Sequence, residues 1–325
     1  MRPHPRGVSV FAFVLLAGLG VVTAAVPQSN WPSRVVRFIV SLGAGSGADI
    51  GARLLADRLP GRWNQPVIVE NRPGGDALVA INAFVGAHDD HVLLFSPSSA
   101  FTAHPFLHDS LPYKPGDLVP ITRVSNTVIA ISVPVGMKAA TLGELAALVR
   151  AQPGKLNWAG VTGANEFVFA GWLKSEGLSM TEVPYRNPVD AVNDLAEGRV
   201  QVFHGALAIA RPQLQAGRIK VLAVTNSTRA PSQPQIPTVA EAGYPALTID
   251  GLVGLFGPSG MPLELRERIT ADIRGVADAT VQGRLTTTGQ FMNIGAPEEF
   301  AQSIQEQRTR IAAYARQLGI KPLQQ

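Results

Sequence analysis

The sequence predicts an α/β fold built twice, each time from a largely parallel sheet flanked by helices. Short runs of β-branched and aromatic residues alternate with helix-like stretches along most of the chain, as in sheets whose strands are joined by crossover helices. The chain has 325 residues, more than one such domain usually contains. Ligands of these folds bind at the carboxyl ends of strands, so we expect the small-residue loops there to form the site.

The predicted elements begin at residue 35. Thr141 with Glu144 and Thr238 with Glu241 have the spacing of capping boxes, and Asn187 is a suitable N-cap. Residues 96–105 are predicted to be a polar loop. Strands are predicted at residues 35–40, 67–70, 92–95, 118–124, 128–133, 156–160, 180–184, 200–203, 219–225 and 249–256, and helices at 49–59, 76–87, 142–151, 166–176, 189–197, 207–214, 262–279, 281–287 and 297–318.

Residues 35–49 hold the most distinctive local pattern. A strand-length apolar run at residues 35–40 is followed by Gly43, Gly45 and Gly47, and Asp49 opens a helix-like stretch. A strand that turns through glycines into a helix leaves backbone N–H groups unpaired at the positive end of the helix dipole. An anion can bind there, and glycine leaves room for its approach. The pattern predicts an anion-binding loop; the alternative is a glycine turn that only lets strand and helix pack.

The same loop supports a second hypothesis. Residues 43–48 have the spacing Gly-x-Gly-x-x-Ala, which matches the loose dinucleotide fingerprint, and Glu70 ends the next predicted strand. The alternative function is therefore a dinucleotide-dependent oxidoreductase that uses the Gly43–Ala48 loop. No Gly-Lys-Ser/Thr follows, so the loop is not a Walker phosphate loop, and Ser46 is not in a Gly-x-Ser-x-Gly nucleophile elbow.

The start of the chain resembles a secretory signal peptide. Arg2 and Arg6 precede an apolar run at residues 8–22, and small residues at 23–25 follow it. We expect residues 1–25 to be cleaved after Ala24 or Ala25 and the protein to be periplasmic; the alternative is an uncut anchor helix. The chain has no cysteine, which excludes disulfides and a lipid anchor on cysteine. Soluble nicotinamide cofactors are not supplied outside the cytoplasm, so export argues against the oxidoreductase.

Charge and motif content exclude several functions. Removing Arg2 and Arg6 lowers the formal charge from +4 to +2, and the basic residues form no run of four, so no nucleic-acid partner is expected. The chain has no cysteine nucleophile and no His-Glu-x-x-His motif. Residues 88–91, His-Asp-Asp-His, are interpreted as a solvated turn. We therefore expect no catalytic residue, no metal site and no cofactor.

Several short motifs, in a fixed order, resemble the receptors of tripartite tricarboxylate transporters, the Bug (TctC-like) family. The resemblance extends from Trp31 to about Pro322. Its markers are Trp31-Pro32-Ser33, Val69-Glu70-Asn71-Arg72-Pro73-Gly74, Leu111-Pro112-Tyr113, Pro153-Gly154-Lys155-Leu156-Asn157, Val183-Pro184-Tyr185, Ala223-Val224-Thr225 and the segment from Ile236 to Gly243.

The resemblance implies a two-lobed periplasmic-binding-protein fold of type II, the Venus flytrap. Lobe 1 would comprise residues 26–126 and 250–325, and lobe 2 residues 127–249. The implied function is capture of a small organic carboxylate between the lobes for uptake by a membrane transporter. We expect a monomer that binds without catalysis.

Carried over by position, the carboxylate-binding loops of the family fall on residues 41–49, 96–101 and 161–167. The glycines and Asp49 of the first loop remain, whereas the usual prolines and threonine are replaced. The residues expected to bind the ligand are Leu42, Gly43, Gly45, Ser46, Gly47, Asp49, Ser96, Ser98, Ser99, Thr162, Gly163, Asn165, Tyr185, His204 and Gly205.

Some of these residues have a simple structural alternative. A carboxylate at a helix start, such as Asp49, is most simply a cap. Ser98 and Ser99 can be solvated loop residues, Tyr185 and His204 can be core residues, and one of Thr162 and Asn165, which precede a predicted helix, can be its cap.

Gly205 bears on the class of ligand. Relatives often carry aspartate at this position, where a ligand ammonium would be paired. An unpaired ammonium in a closed cleft is costly, and Glu166 is the acidic residue nearest in sequence to a binding loop. The sequence therefore predicts a ligand that is not zwitterionic, such as a dicarboxylate, a hydroxycarboxylate or an aromatic acid.

Overall fold

The structure, a computed structural model, describes Met1 and residues 30–161 and 163–323. Apart from Met1, the predicted signal peptide lies outside the described residues, and so does Thr162. Trp31–Gln325 is one compact unit that contains both sheets.

The described strands and helices alternate along the chain much as the sequence predicts. The strands are β1 Val36–Val40, β2 Val67–Asn71, β3 Val92–Pro97, β4 Val119–Thr127, β5 Ile129–Pro134, β6 Asn157–Gly160, β7 Thr181–Glu182, β8 Val202–Ala206, β9 Ile219–Val224, β10 Gly251–Gly257 and β11 Gln290–Gly295. The α-helices are α1 Gly47–Ala56, α2 Pro60–Trp63, α3 Leu78–Val85, α4 Ser99–Leu107, α5 Leu142–Ala151, α6 Ala164–Ser175, α7 Pro188–Ala196, α8 Leu207–Gln215, α9 Leu263–Val276, α10 Ala279–Thr287 and α11 Pro297–Leu318. Short 3₁₀ turns lie at Pro115–Asp117 and Pro245–Leu247.

Two mixed sheets form the framework, which confirms the α/β class. Within the described residues, the first sheet has the strand order β11-β4-β10-β3-β1-β2, and the second has the order β7-β6-β8-β5-β9. β1 pairs in parallel with β2 and β3, and β6 with β7 and β8. The remaining pairings, through β10, β4, β11, β5 and β9, are antiparallel. The expectation of largely parallel sheets therefore needs a correction, since each sheet is parallel in only one part.

The antiparallel strands arise where the chain crosses between the sheets. β4 of the first sheet leads directly into β5 of the second, and the chain returns from β9 to β10. Asn226 ties the crossings together: its amide nitrogen donates to the Thr127 carbonyl at 2.9 Å, and its Oδ1 accepts from the Ile129 N–H at 2.9 Å. Asp250 accepts from the Ser227 hydroxyl at 2.8 Å. The predicted lobe boundaries at 126/127 and 249/250 fall at these crossings and stay a prediction.

Alternation along the strands covers both faces of each sheet. In β1, Phe38 and Val40 pack in one buried cluster and Ile39 in another on the opposite face. In β8, Val202 and Phe203 enter different clusters in the same way. Side chains two residues apart share a face of a strand, so such runs are buried only when helices cover both faces.

One local prediction is wrong, one strand was missed, and one predicted capping box forms without a helix. Residues 96–105, predicted as a loop, contain most of α4, because Phe101 packs edge-on against Phe256 at 5.1 Å and gives this polar stretch a buried face. β11 was not predicted; it is held by antiparallel pairing with β4. Thr238 and Glu241 exchange the hydrogen bonds of a capping box, but they close a turn without a helix.

None of the helices in the described part of the chain is both long and apolar enough to cross a membrane.

Candidate functional site

The candidate site lies where helices begin at the carboxyl ends of parallel strands. α1 follows β1 and α4 follows β3, whereas α6 follows β6 and α8 follows β8. These strands pair in parallel within their sheets, so each pair of helices begins at one sheet edge. The two sheets meet beside these edges: the rings of Phe106 in α4 and Phe167 in α6 lie 5.8 Å apart. A Cβ atom on Gly289, next to β11, would lie 2.8 Å from Cβ of Ala208 in α8.

Asp49 stabilises the glycine loop from within. Its carboxylate accepts from the Gly45 N–H at 2.9 Å, from Asn71 Nδ2 at 2.8 Å and from Arg53 Nε at 3.0 Å. Burial acts to raise the pKa of Asp49, but these hydrogen bonds outweigh it and hold the pKa below its usual value. Ser46 is the N-cap of α1, and its hydroxyl accepts from the Asp49 N–H at 3.2 Å. The contacts of Asp49 favour the capping role.

The outer side of the loop faces open space. Nothing lies within 4 Å of a Cβ atom built on Gly43 or Gly45. Gly45 has a φ of +82°, in the left-handed backbone region that favours glycine, whereas the φ of Gly43 lies outside this region. Leu42 is exposed, and its carbonyl accepts from Asn71 Nδ2 at 3.0 Å. A ligand can approach this side of the loop.

Gln290 of β11 covers the first turn of α1. A Cβ atom on Gly47 would lie 2.0 Å from Nε2 of Gln290. Oε1 of the same amide accepts from the Ser125 hydroxyl at 2.5 Å. The N–H groups of Gly47 and Ala48 have no hydrogen-bond acceptor among the described residues. Two donors therefore remain available at the positive end of α1.

The serines of the second loop make different contacts. Ser96 is buried and shares a hydrogen bond with Ser41 at 2.8 Å. The buried Ser98 hydroxyl donates to Oε1 of Gln307 in α11 at 2.8 Å. The Ser99 hydroxyl has no partner in the described chain. Of the three, Ser99 is the one whose side chain is free to bind a ligand.

The third loop enters α6 through Gly163, which is buried with a φ of +105°. Asn165 is 6% exposed, and no described residue pairs with its side-chain amide. The backbone carbonyl of Asn165 accepts from Nδ1 of His204 at 3.1 Å. His204 is fully buried, 5.5 Å from the ring of Phe169, and burial lowers its pKa to about 4. These contacts favour the core role of His204.

Tyr185 and Gly205 also make packing contacts. The Tyr185 hydroxyl donates to Asp194 at 2.6 Å, and burial together with this bond raises its pKa to about 12. A Cβ atom on Gly205 would lie 2.7 Å from the ring of Phe203 and 2.9 Å from Cγ2 of Val161. Gly205 therefore lies where Phe203 leaves no room for a side chain.

Three carboxyl groups influence one another near the third loop. Glu166 has a raised pKa because of burial, partly offset by the Gly163 backbone, and the charge of Asp76 raises it further. Burial and the charge of Glu166 raise the pKa of Glu182 to about 7, although this residue lies at the surface. Asp76 has a φ of +51°, and its carbonyl accepts from Nε2 of the buried His104 at 2.8 Å. Sequence reasoning missed Asp76 and Glu182, because only the tertiary structure brings them to Glu166.

The turn at residues 88–91 is less solvated than predicted. His91 is buried; its Nε2 accepts from the Ser33 N–H at 3.0 Å, and its Nδ1 bonds Asp90 at 2.6 Å. Asp89 forms a two-point ion pair with Arg34. Ligand atoms of Asp89, Asp90 and His91 lie within 4.8 Å of one another, but all three already have partners.

The family model for the tripartite tricarboxylate transporter family receptor matches residues 51–320. The chain belongs to this family. Protein BugT of Bordetella pertussis is 28% identical over 315 residues, which cover 95% of this chain and 96% of BugT.

Solved structures agree with the assignment. MatC from Rhodopseudomonas palustris with bound malate has a TM-score of 0.71 at 26% identity, covering 87% of this chain and 99% of MatC. R. palustris Rpa4515 with adipate has a TM-score of 0.75 at 25% identity, covering 90% of this chain and 100% of Rpa4515.

These similarities confirm the predicted family and its periplasmic-binding-protein fold. Membership of a periplasmic receptor family implies the periplasm and accords with binding rather than catalysis. They give no support to the oxidoreductase that would use the Gly43–Ala48 loop.

Proposed function

We propose that this receptor binds a small organic carboxylate between the two sheets, at the starts of α1, α4 and α6. The protein acts in the periplasm after removal of residues 1–25, and a membrane transporter receives the ligand. Structural relatives bound to malate and adipate support the ligand class.

The observation that carries the proposal is the first turn of α1. The N–H groups of Gly47 and Ala48 lack acceptors in the described chain, and the glycines before them leave the approach open. A hydrogen bond to a charged acceptor contributes about 1.5–3 kcal/mol net. A carboxylate at this helix end gains from the helix dipole as well.

Contacts across the site suggest how binding is completed. The free Ser99 hydroxyl and the Asn165 amide supply further donors from α4 and α6. Each sheet thus contributes donors, and closure around the ligand would exclude water and strengthen these bonds.

The test is calorimetric titration with adipate and malate, with adipamide as the neutral analogue. Gly43→Val places a side chain in the open approach without a positive-φ penalty, and Gly61→Val is the matched control because its Cβ atom also meets nothing within 4 Å. We expect Gly43→Val to lower the affinity for the bound dicarboxylate at least tenfold relative to wild type. Gly61→Val should change this affinity less than twofold. Equal affinity in the two variants, or tighter binding of adipamide, would contradict the proposal.

A further inference from the structure

The long C-terminal helix α11 carries a cation on its buried face. Its buried stripe includes Phe300, Ile304, Gln307 and Ile311. Arg308 follows Ile304 by four residues and precedes Ile311 by three, so it lies on the same side of the helix. Its side chain is only partly exposed.

Arg308 has no partner among the described residues. Its side chain forms neither an ion pair nor a hydrogen bond with them, and burial lowers its pKa, which the nearby Tyr113 only partly offsets. By contrast, Arg310 on the same helix donates to the carbonyls of Pro245 and Thr248. A partly buried charge without a partner is unfavourable, and proteins normally pair it or leave it in water. This unbalanced cation points to an anion from outside the chain.

Two cavities meet at Arg308. One, of about 460 Å³, lies between α11 and the turn at Pro115–Asp117, with Phe101, Leu118, Phe256 and Ile304 in its wall. The other, of about 450 Å³, lies between α11 and α4. Volumes of this size accommodate small molecules.

The wall of each cavity suggests a part of the ligand. Both walls are mostly apolar, and the second also includes Thr102, Thr309 and a second arginine, Arg316. Arg316 also has no ion pair or hydrogen bond in the described chain. The charged end of a ligand fits beside Arg308, and an apolar body fits in the first cavity.

We propose that the groove between α4, α11 and the Pro115–Asp117 turn is a second binding site, for a small anion with an apolar tail. It is distinct from the carboxylate site, because neither the loop at residues 43–49 nor the loop at 161–167 lines it, and of the loop at residues 96–101 only Phe101 does. A medium-chain carboxylate and an alkyl sulfate share the required chemistry.

The probes are octanoate, octyl sulfate and the neutral octan-1-ol, titrated by calorimetry below their micelle concentrations. The variants are Arg308→Gln, the charge-preserving Arg308→Lys, and Arg274→Gln. Arg274 is an exposed arginine on α9 that lines neither cavity, so its substitution matches the change in net charge.

We expect at least one of the two anions to bind wild type at least tenfold more tightly than octan-1-ol. Arg308→Gln should lower the affinity for this anion at least tenfold. Arg308→Lys should lower it less than Arg308→Gln does, and Arg274→Gln should change it less than twofold. If octanoate binds and octyl sulfate does not, the site takes carboxylates; the reverse result assigns it to sulfate or phosphate esters. Adipate binding should be unchanged in Arg308→Gln, which separates this site from the first.

The melting temperature gives a second readout. An arginine without a partner contributes little to stability, so Arg308→Gln should melt no lower than wild type, and the bound anion should raise the melting temperature of wild type but not of the variant. Anion affinity that survives Arg308→Gln would overturn the proposal, and so would a variant that melts several degrees lower. An acidic peptide, titrated in the same way, should bind more weakly than the anion; tighter binding of the peptide than of both anions would likewise overturn the proposal.

Discussion

Gln290 lies over Gly47, with its Nε2 at 2.0 Å from the position that a Cβ atom on Gly47 would occupy. A residue of β11 thus closes the glycine loop that follows β1, although some 240 residues separate them in the chain. A side chain at residue 47 would therefore have to displace the Gln290 amide.

Gly47→Ala should therefore destabilise the protein, by roughly 1–3 kcal/mol if Gln290 is displaced and loses its bond to Ser125. Denaturant unfolding measures this, with Gly43→Ala as the control because its Cβ atom meets nothing within 4 Å. In a Gln290→Ala background the cost of Gly47→Ala should fall by at least half. A cost that is the same in both backgrounds would show that Gln290 is not the obstacle.

Gly45→Val should lose both affinity and stability, unlike Gly43→Val. At a φ of +82° a β-branched side chain is strained, and the side chain also enters the ligand approach. Melting curves and adipate titration, run on the two variants in parallel, measure the two effects. If the melting temperature of Gly45→Val equals that of wild type, the left-handed backbone does not explain why glycine occupies this position.

His204 should make stability depend on pH. Its pKa is lowered to about 4 in the folded protein, against an ordinary value of 6.5. Between these values the unfolded chain binds a proton that the folded protein does not, so stability is retained above pH 6.5 and falls as the pH drops towards 4. The full effect is on the order of 3 kcal/mol.

His204→Phe keeps an aromatic ring in this buried position and removes the titration. Unfolding measured from pH 7 to pH 4 should then show about one proton fewer taken up on unfolding. His104, whose pKa burial also lowers, remains in the variant and supplies the internal comparison. An unchanged slope in His204→Phe would contradict the assignment.

The ligand should be a dicarboxylate in preference to the matching amino acid. Gly205 has no side chain that could pair with a ligand ammonium group, and Phe203 and Val161 leave no space for a side chain at this position. The pKa of Glu166 is raised, and that of the surface residue Glu182 is raised to about 7, so each holds its negative charge less readily than an ordinary glutamate. Calorimetry with succinate against aspartate, and glutarate against glutamate, tests this. Tenfold tighter binding of either amino acid would overturn it and would implicate Glu166 together with Asp76.

The protein isolated from its native compartment should begin near residue 26. The charged start, the apolar run at residues 8–22 and the small residues at 23–25 support cleavage there. Intact mass spectrometry measures the outcome. A mass that still includes residues 1–24 would show that the segment is retained.

Local pattern was enough for the framework. The strand–glycine–helix unit at residues 35–59 and the helix N-caps at Thr141 and Asn187 were predicted correctly, because a strand repeat and a cap depend on neighbours within a few residues. α4 was missed because its buried face depends on Phe256, which lies far along the chain. β11 was missed for the same reason, since its partner is β4.

The sequence by itself determined the family, the two-sheet α/β class and the loops that start α1 and α6. Tertiary structure decided what the residues at the starts of α1, α4 and α6 do: the Ser98 hydroxyl donates to Gln307, the Asp49 carboxylate accepts from the Gly45 N–H, and the Asn165 backbone carbonyl accepts from His204. It also brought Asp76 close enough for its charge to raise the pKa of Glu166, and it left Arg308 without an ion pair among the described residues. A hydrogen bond or a charge between elements depends on distances that no local pattern encodes, whereas periodicity and caps depend on nearest neighbours alone.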